Sequence, residues 1–297
     1  MQALLDAIAL AQPGQDVCRI FHGRGGLYPG CEHLSLDWYA PVWVLTSFVP
    51  LSDAELQAVQ ATLCLRPEPL HWVYQCRQPA QGLAETRLMA GGVPDPHVVT
   101  EQGARYRVHV LKGQNHGLFL DMACGRQWLR ERTRGLRVLN LFAYTCAFSV
   151  AALQGGARAV VNVDRAAGAL AIGQQNHQFN GLQGGRFLAH DLFKSWGKLK
   201  RMGPYDIVVA DPPSYQKGSF VASKDYARVV RRLPELLAPG GQALLCLNAP
   251  ELTSRFLMDL VATEAPALRF VCRLDNPPAF ADVDPERSLK VLLFEMP

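Results

Sequence analysis

Asp211-Pro212-Pro213-Ser214-Tyr215 sets an acid, two rigid prolines and an aromatic ring side by side, directly after the apolar run 206–210. Consecutive prolines fix an extended backbone that has no amide hydrogens of its own. Such a wall can hold an aromatic base flat, and Tyr215 offers a face on which it can stack. A plain proline turn capped by Asp211 is the competing reading. Asn140, Asp164, Asp191 and Asn248 stand in the same setting, each at or just after the end of an apolar run.

Asp164 lies 24 residues beyond Asn140. A carboxylate about 20 residues past the first strand-to-helix turn can accept hydrogen bonds from ribose hydroxyls. It can also cap the helix that starts near residue 166. The turn after Asn140 has no G-x-G-x-x-G; Phe142, Tyr144 and Cys146 stand there instead. A pyrophosphate needs close approach to a glycine-rich turn, so this turn argues against NAD and FAD. S-adenosylmethionine has no phosphate and tolerates the bulk. Asp191 can take an adenine amino group or cap the turn that begins at Leu192.

These residues need a scaffold that gathers strand ends. From Gly135 onward apolar runs at 136–142, 159–164, 185–190, 206–210 and 242–247 alternate with helical stretches at 147–153, 166–180, 225–237 and 251–263. Runs at 268–274 and 288–295 follow with no helix between them. The pattern predicts an α/β fold of Rossmann-like type: a seven-stranded, mostly parallel sheet ending in an antiparallel strand pair. In such a sheet the ligand lies beyond the carboxyl ends of the strands. Residues 1–95 read as a small α+β domain, with strands at 17–21, 41–48 and 71–76 and a helix at 54–65 capped by Ser52 or Asp53. Gly91-Gly92-Val93-Pro94-Asp95-Pro96 marks the expected boundary, so 96–297 is the expected cofactor-binding domain.

The chain has 297 residues and a net charge of +4. Residues 1–100 carry five Arg and no Lys against nine acids, while the remainder carries 25 basic against 17 acidic residues. The basic excess is expected to favour nucleic acid. Arg126, Arg130, Arg132, Arg134, Arg137, Lys217, Arg228, Arg231 and Arg232 are its candidate phosphate contacts, although helical spacing also fits a solvated face. Eight scattered cysteines form no CxxC pair, which points to a reducing cytoplasm, and no metal site is expected. No apolar run is long enough to span a membrane.

The residues from about 101 to 297 resemble the class I S-adenosylmethionine-dependent methyltransferases, and within them the bacterial large-subunit ribosomal RNA methyltransferases. The resemblance rests on Gly117-Leu-Phe-Leu-Asp121, Leu139-Asn-Leu-Phe-Ala-Tyr-Thr145, Asp164, Asn180-Gly181-Leu182 and Asp211-Pro212-Pro213. More weakly, HGRGGLYPG at 22–30 resembles the family's HGE.DGLPG. The resemblance implies S-adenosylmethionine as cofactor, RNA as partner, and cofactor contacts from Asp121, Asn140, Phe142, Ala143, Tyr144, Asp164, Asp191 and Asp211. Cys146 stands where the family has Gly, and Ala123 where it has Arg.

Cytosine C5 methylation requires a thiolate. At the position where the cytosine branch has that Cys, this chain has Asn248, as in the guanine-N7 branch. Cys246 sits two residues earlier, inside the apolar run. A ring nitrogen needs no covalent catalyst, only alignment. Asp211, Pro212, Pro213, Tyr215 and Asn248 are therefore the expected substrate-side residues, and a base nitrogen in ribosomal RNA the expected acceptor. Methyl transfer to a small molecule or protein, and a non-catalytic nucleic-acid-binding module of the same fold, remain open on the sequence.

Overall fold

The computed structural model describes residues 1–77, 85–216, 218 and 220–297. They form two compact units, Met1–Leu120 with Pro277–Asp284, and Asp121–Asn276 with Pro285–Pro297. The first unit thus runs past the boundary expected after residue 95, because the chain there continues into a hairpin and not into the parallel sheet.

The first unit contains α1 (Gln2–Leu10), β1 (Cys18–His22), β2 (Leu34–Tyr39), β3 (Val42–Ser47), α2 (Asp53–Cys64), β4 (Trp72–Cys76), β5 (Glu85–Ala90), β6 (His97–Glu101) and β7 (Ala104–Val108). Strands β1 to β5 form one sheet in chain order, antiparallel except for the parallel β3–β4 pair. Parallel neighbours need a crossover, and α2 supplies it. Ser52 starts α2 through a capping box: its hydroxyl accepts from the Glu55 amide, and the Glu55 carboxylate accepts from the Ser52 amide. Leu4, Ile8, Leu36, Leu45, Leu56, Val59 and Trp72 fill the core. Strand β2 escaped the sequence reading because Asp37 interrupts its apolar pattern. In the fold Asp37 is buried and paired with Arg19, so the strand tolerates it.

The second unit contains α3 (Ala123–Arg132), β8 (Arg137–Leu141), α4 (Ala147–Gln154), β9 (Ala159–Asp164), α5 (Ala167–Phe179), β10 (Gly185–Ala189), α6 (Trp196–Met202), β11 (Tyr205–Ala210), β12 (Tyr215–Gln216), β13 (Phe220–Val221), α7 (Ala222–Val230), α8 (Leu233–Leu236), β14 (Leu237–Leu247), α9 (Ser254–Glu264), β15 (Arg269–Leu274) and β16 (Lys290–Glu295). The seven-stranded sheet has the order β10-β9-β8-β11-β14-β16-β15. The first five strands in that order are parallel, and β16 is antiparallel to both its neighbours. Alternate residues serve opposite cores: Leu139, Leu141, Val208 and Leu245 face one, Val138, Val160, Ile207, Val209 and Leu244 the other. Burial on both faces explains why these strands read as continuous apolar runs.

Two local expectations are corrected. The helix expected over 225–237 is broken into α7 and α8, with Pro234 in the first turn of α8, where its missing amide is harmless. Pro239-Gly240-Gly241 does not close that helix but lies inside β14. The pairing jumps there from Tyr205–Leu237 to Ile207–Gln242, and Gly240 takes φ +72°.

Candidate active site at the carboxyl edge of the sheet

The chain leaves β8 toward β9 and β10, then returns to pair β11 on the other side of β8. Strand order therefore reverses between β8 and β11, which opens a crevice at their carboxyl ends. The segments that follow are Phe142–Cys146 and Asp211–Ser214. The Asp211 amide donates to the Leu141 carbonyl at 3.5 Å and carries the β8–β11 pairing one step further.

The turn after β8 is strained. Phe142, Tyr144 and Cys146 take φ of +56°, +47° and +61°, each left-handed and each costing about 1 kcal/mol for a residue with a side chain. The surroundings enforce it. The Ala143 amide donates to the Val163 carbonyl at 3.0 Å, and the Tyr144 amide to Asp164 Oδ2 at 2.8 Å. Asp164 Oδ1 accepts from the Ala166 amide at 2.8 Å. Asp164 thus performs the capping alternative and also braces the turn. The Phe142 ring meets Phe220 edge-on, with centroids 5.2 Å apart. Cys146 is fully buried, and a Cβ placed on Gly173 would lie 2.5 Å from its sulfur. Gly173 on α5 makes the room that a glycine at 146 would not need.

Asn140 does not reach the edge. It is buried, donating from Nδ2 to Asn162 Oδ1 at 2.9 Å. Asn162 Nδ2 donates to Ser149 Oγ, which lies 2.9 Å from His177 Nε2. Side chains of β8, β9, α4 and α5 are thereby locked together beneath the strained turn. Asn140 supports the site from inside the sheet. Asp191 follows β10 and accepts from the Phe193 amide at 2.9 Å, the capping alternative again.

Asp211 is the most perturbed acid at this edge. Burial pushes its carboxyl up to about 7, and the charge of Asp121 adds to the rise while Arg126 opposes it. Asp121 and Arg126, at the start of the second unit, therefore face Asp211. Arg126 is 3% exposed, so this expected phosphate contact is instead the buried counter-charge of the acid pair. Pro212 is buried, Pro213 half-buried, and Tyr215 is 67% exposed on the short β12–β13 hairpin.

Asn248 is exposed at the end of β14, beside β11. Two residues that the sequence reading missed fix this corner. The Tyr226 hydroxyl, fully buried on α7, donates to the Cys246 carbonyl at 2.9 Å, with the Ala210 carbonyl 3.4 Å away. The ammonium of Lys290, also fully buried, donates to the carbonyls of Ala249 and Glu286, both at 2.8 Å. A lysine heading the apolar run Val291–Phe294 was the available signal for the second. Cys246 is fully buried, and burial together with Asp211 and Asp121 drives its thiol well above the usual range. A nucleophilic thiolate needs the opposite surroundings.

The remaining expected phosphate contacts separate. Arg228 pairs with Asp225 at 2.9 Å, Arg231 with Glu264 at 2.7 Å and Arg232 with Glu235 at 3.1 Å. Arg137 starts β8 at the opposite edge of the sheet and donates to the Gly203 and Met202 carbonyls. Arg132 and Arg134 lie just before it. Lys217 is outside the described residues. No helix among the described residues is long and apolar enough to cross a membrane.

Known proteins resemble this chain in sequence and fold. The chain is 33% identical over 249 residues to ribosomal RNA large subunit methyltransferase I of Aeromonas salmonicida, covering 80% of this chain and 62% of that protein. It is 33% identical over 277 residues to the enzyme of the same name from Photobacterium profundum, covering 89% and 68%. The crystal structure of SMU.776 complexed with SAH matches at TM-score 0.85 and 25% identity, covering 99% of this chain and 78% of that one. The chain thus spans a little under two thirds of the Aeromonas relative. The pattern that defines the S-adenosylmethionine-dependent methyltransferase family matches residues 18–295, and the chain belongs to that family.

Proposed function

We propose that this enzyme methylates a ring nitrogen of a base in large-subunit ribosomal RNA, in the cytoplasm. The observation that carries the chemistry is the corner built by β11 and β14. Asp211-Pro212-Pro213 and exposed Asn248 stand on adjacent strand ends, and Cys246, two residues before Asn248, is buried. The RNA part is supported by the names of the relatives above.

The residues at the edge fit S-adenosylmethionine. Asp164 and Asp191 end neighbouring strands and suit the donors of a ribose and an adenine. The acid pair Asp121 and Asp211 gives a cationic ligand an anionic, partly dry wall. Phe142, Ala143 and Tyr144 form the turn that would lie along it, and Asn140 holds that turn from beneath. When bound, the cofactor supplies an electrophilic methyl group. The chain's own part is alignment. The double proline gives a flat wall, Tyr215 a stacking face, and Asn248 and Asp211 hydrogen-bonding groups that orient the base. Positioning of this kind can supply much of a rate enhancement.

The test is methyl transfer from labelled S-adenosylmethionine to total RNA and ribosomal particles from cells lacking the protein, beside a matched protein fraction. Label in one ribosomal RNA species, lost in Asp211→Ala, is the expected result. Label confined to protein or small molecules refutes the RNA assignment, and 5-methylcytosine refutes the ring-nitrogen assignment.

A further inference from the structure

Around α7 and α8, Arg228, Arg231 and Arg232 are each paired with an acid. A second group of cations lies in the first unit, in the half of the sequence with the negative balance. Arg19, on β1, is satisfied: Nε and Nη2 donate to the two Asp37 oxygens at 2.5 and 3.2 Å. Its Nη1 donates to His22 Nδ1 at 2.6 Å. A guanidinium cannot accept, so His22 is neutral and carries its proton on Nε2, which leaves that nitrogen as a donor.

Arg24 and Arg77 have no such acid. Arg24 is exposed and lies over the Phe48 ring, 4.1 Å from the centroid, with no hydrogen bond or ion pair among the described residues. A guanidinium stacked in this way is held flat while its N–H groups stay open at the edges. Arg77 is half-buried and its guanidinium bonds only the Gln75 amide oxygen and the Gln114 carbonyl, both neutral. Arg24 and Arg77 meet at the end of β3: Arg24 covers Phe48, and the Arg77 amide donates to the neighbouring Ser47 carbonyl at 2.7 Å, while the Arg77 guanidinium reaches the Gln114 carbonyl, two residues before His116. Their charges and that of Arg19 act on one another, opposed by Asp37. His116 is 6% exposed, and its Nε2 is buried without a partner. Its proton affinity is depressed by burial first and then by Arg77, His109 and Arg19. Among the described residues the other acid acting here is Asp282, whose Oδ1 already accepts from the Asp284 amide.

We infer that Arg24, Arg77, His22 and His116 form an anion site on the first unit that takes a phosphate of the RNA backbone. The inference rests on the RNA reading proposed above. The polar groups are graded inward from exposed Arg24, through half-buried His22 and Arg77, to buried His116. That suits an anion held at the surface and partly dried, where charge-assisted bonds are strongest.

The experiment measures binding of a fluorescein-labelled single-stranded RNA of roughly 20 nucleotides by anisotropy, across about 50 to 200 mM salt. Wild type is compared with Arg24→Glu, a change at an exposed position that stacks on the Phe48 ring, and with Arg77→Gln; thermal melts check the fold. The expected result for Arg24→Glu is binding weakened about ten-fold and a log–log salt slope shallower by about 0.7 or more, the value of one lost phosphate contact. Inorganic phosphate at matched ionic strength competes with RNA on wild type and not on Arg24→Glu. Wild-type slope and affinity in Arg24→Glu overturn the site and leave the RNA reading standing. A wild-type protein that neither binds this RNA nor labels ribosomal RNA overturns that reading, and the phosphate assignment with it.

Discussion

Asp211→Asn stabilises the protein at pH 8 and has little effect at pH 4, while methyl transfer falls. The reasoning starts from the carboxyl, which rises from its ordinary 3.8 to about 7 because burial and Asp121 disfavour its charge. Below about pH 4 the group is neutral in both the folded and unfolded chain, and the rise has no effect on stability. Between about 4 and 7 the unfolded chain releases the proton while the folded chain keeps it, so stability falls as pH increases. Above about 7 both are ionised and the loss is complete. At 1.36 kcal/mol per pH unit the loss has a ceiling of about 4 kcal/mol. Asparagine has nearly the same shape and cannot ionise, so the variant escapes this loss. Any packing cost of the substitution is the same at every pH and cancels when the wild-type–variant difference is followed from pH 4 to 8.5. Urea unfolding at several pH values measures it. A difference that stays flat across that range would refute the assignment of a raised carboxyl to Asp211.

Three further changes probe the parts that hold the site. Lys290→Met leaves the buried Ala249 carbonyl and the half-buried Glu286 carbonyl without this donor, at about 1–3 kcal/mol for the buried one; urea unfolding reads the loss, and a calorimetric titration with S-adenosylmethionine should show cofactor affinity changed less than transfer rate. Gly173→Ala drives a methyl group against Cys146 and costs about 1–3 kcal/mol, most of it recovered in Cys146→Gly/Gly173→Ala; a thermodynamic cycle with no coupling would show that the two residues do not share the space. Ser52→Ala removes the α2 capping box and costs about 1 kcal/mol in thermal or urea unfolding, with methyl transfer unchanged at a temperature where the variant is folded.

The catalytic half was legible because its strands are buried on both faces. The five apolar runs that alternate with helices then fit strands of a parallel sheet, and the polar residues that end them fall at one edge. Asp164, Asp211 and Asn248 are singled out in this way. The first unit was less legible for the opposite reason. Its strand β2 carries Asp37 in its middle, and only the partner Arg19, 18 positions earlier, makes that acid compatible with burial. Arg126 shows the same limit. Among five closely spaced arginines nothing in the sequence distinguishes the one that turns inward, because the acid whose charge it opposes, Asp211, meets it only through the fold.

The same logic separates residues that form the site from residues that brace it. Asn140 and Asp164 both belong to the strand-end pattern. The fold puts Asn140 into a buried chain of amides and hydroxyls and commits both Asp164 oxygens to backbone amides of the turn and the following helix. What the pair secures is a turn with three left-handed residues, none of them glycine. A loop that expensive relaxes unless every neighbour opposes it, and here the opposition comes from Val163, Asp164, Phe220 and the gap at Gly173. The turn is therefore set before any ligand arrives. The energy that sets it comes from packing in β9, α5 and the β12–β13 hairpin, so substitutions far from the crevice should lower transfer without touching a reacting atom.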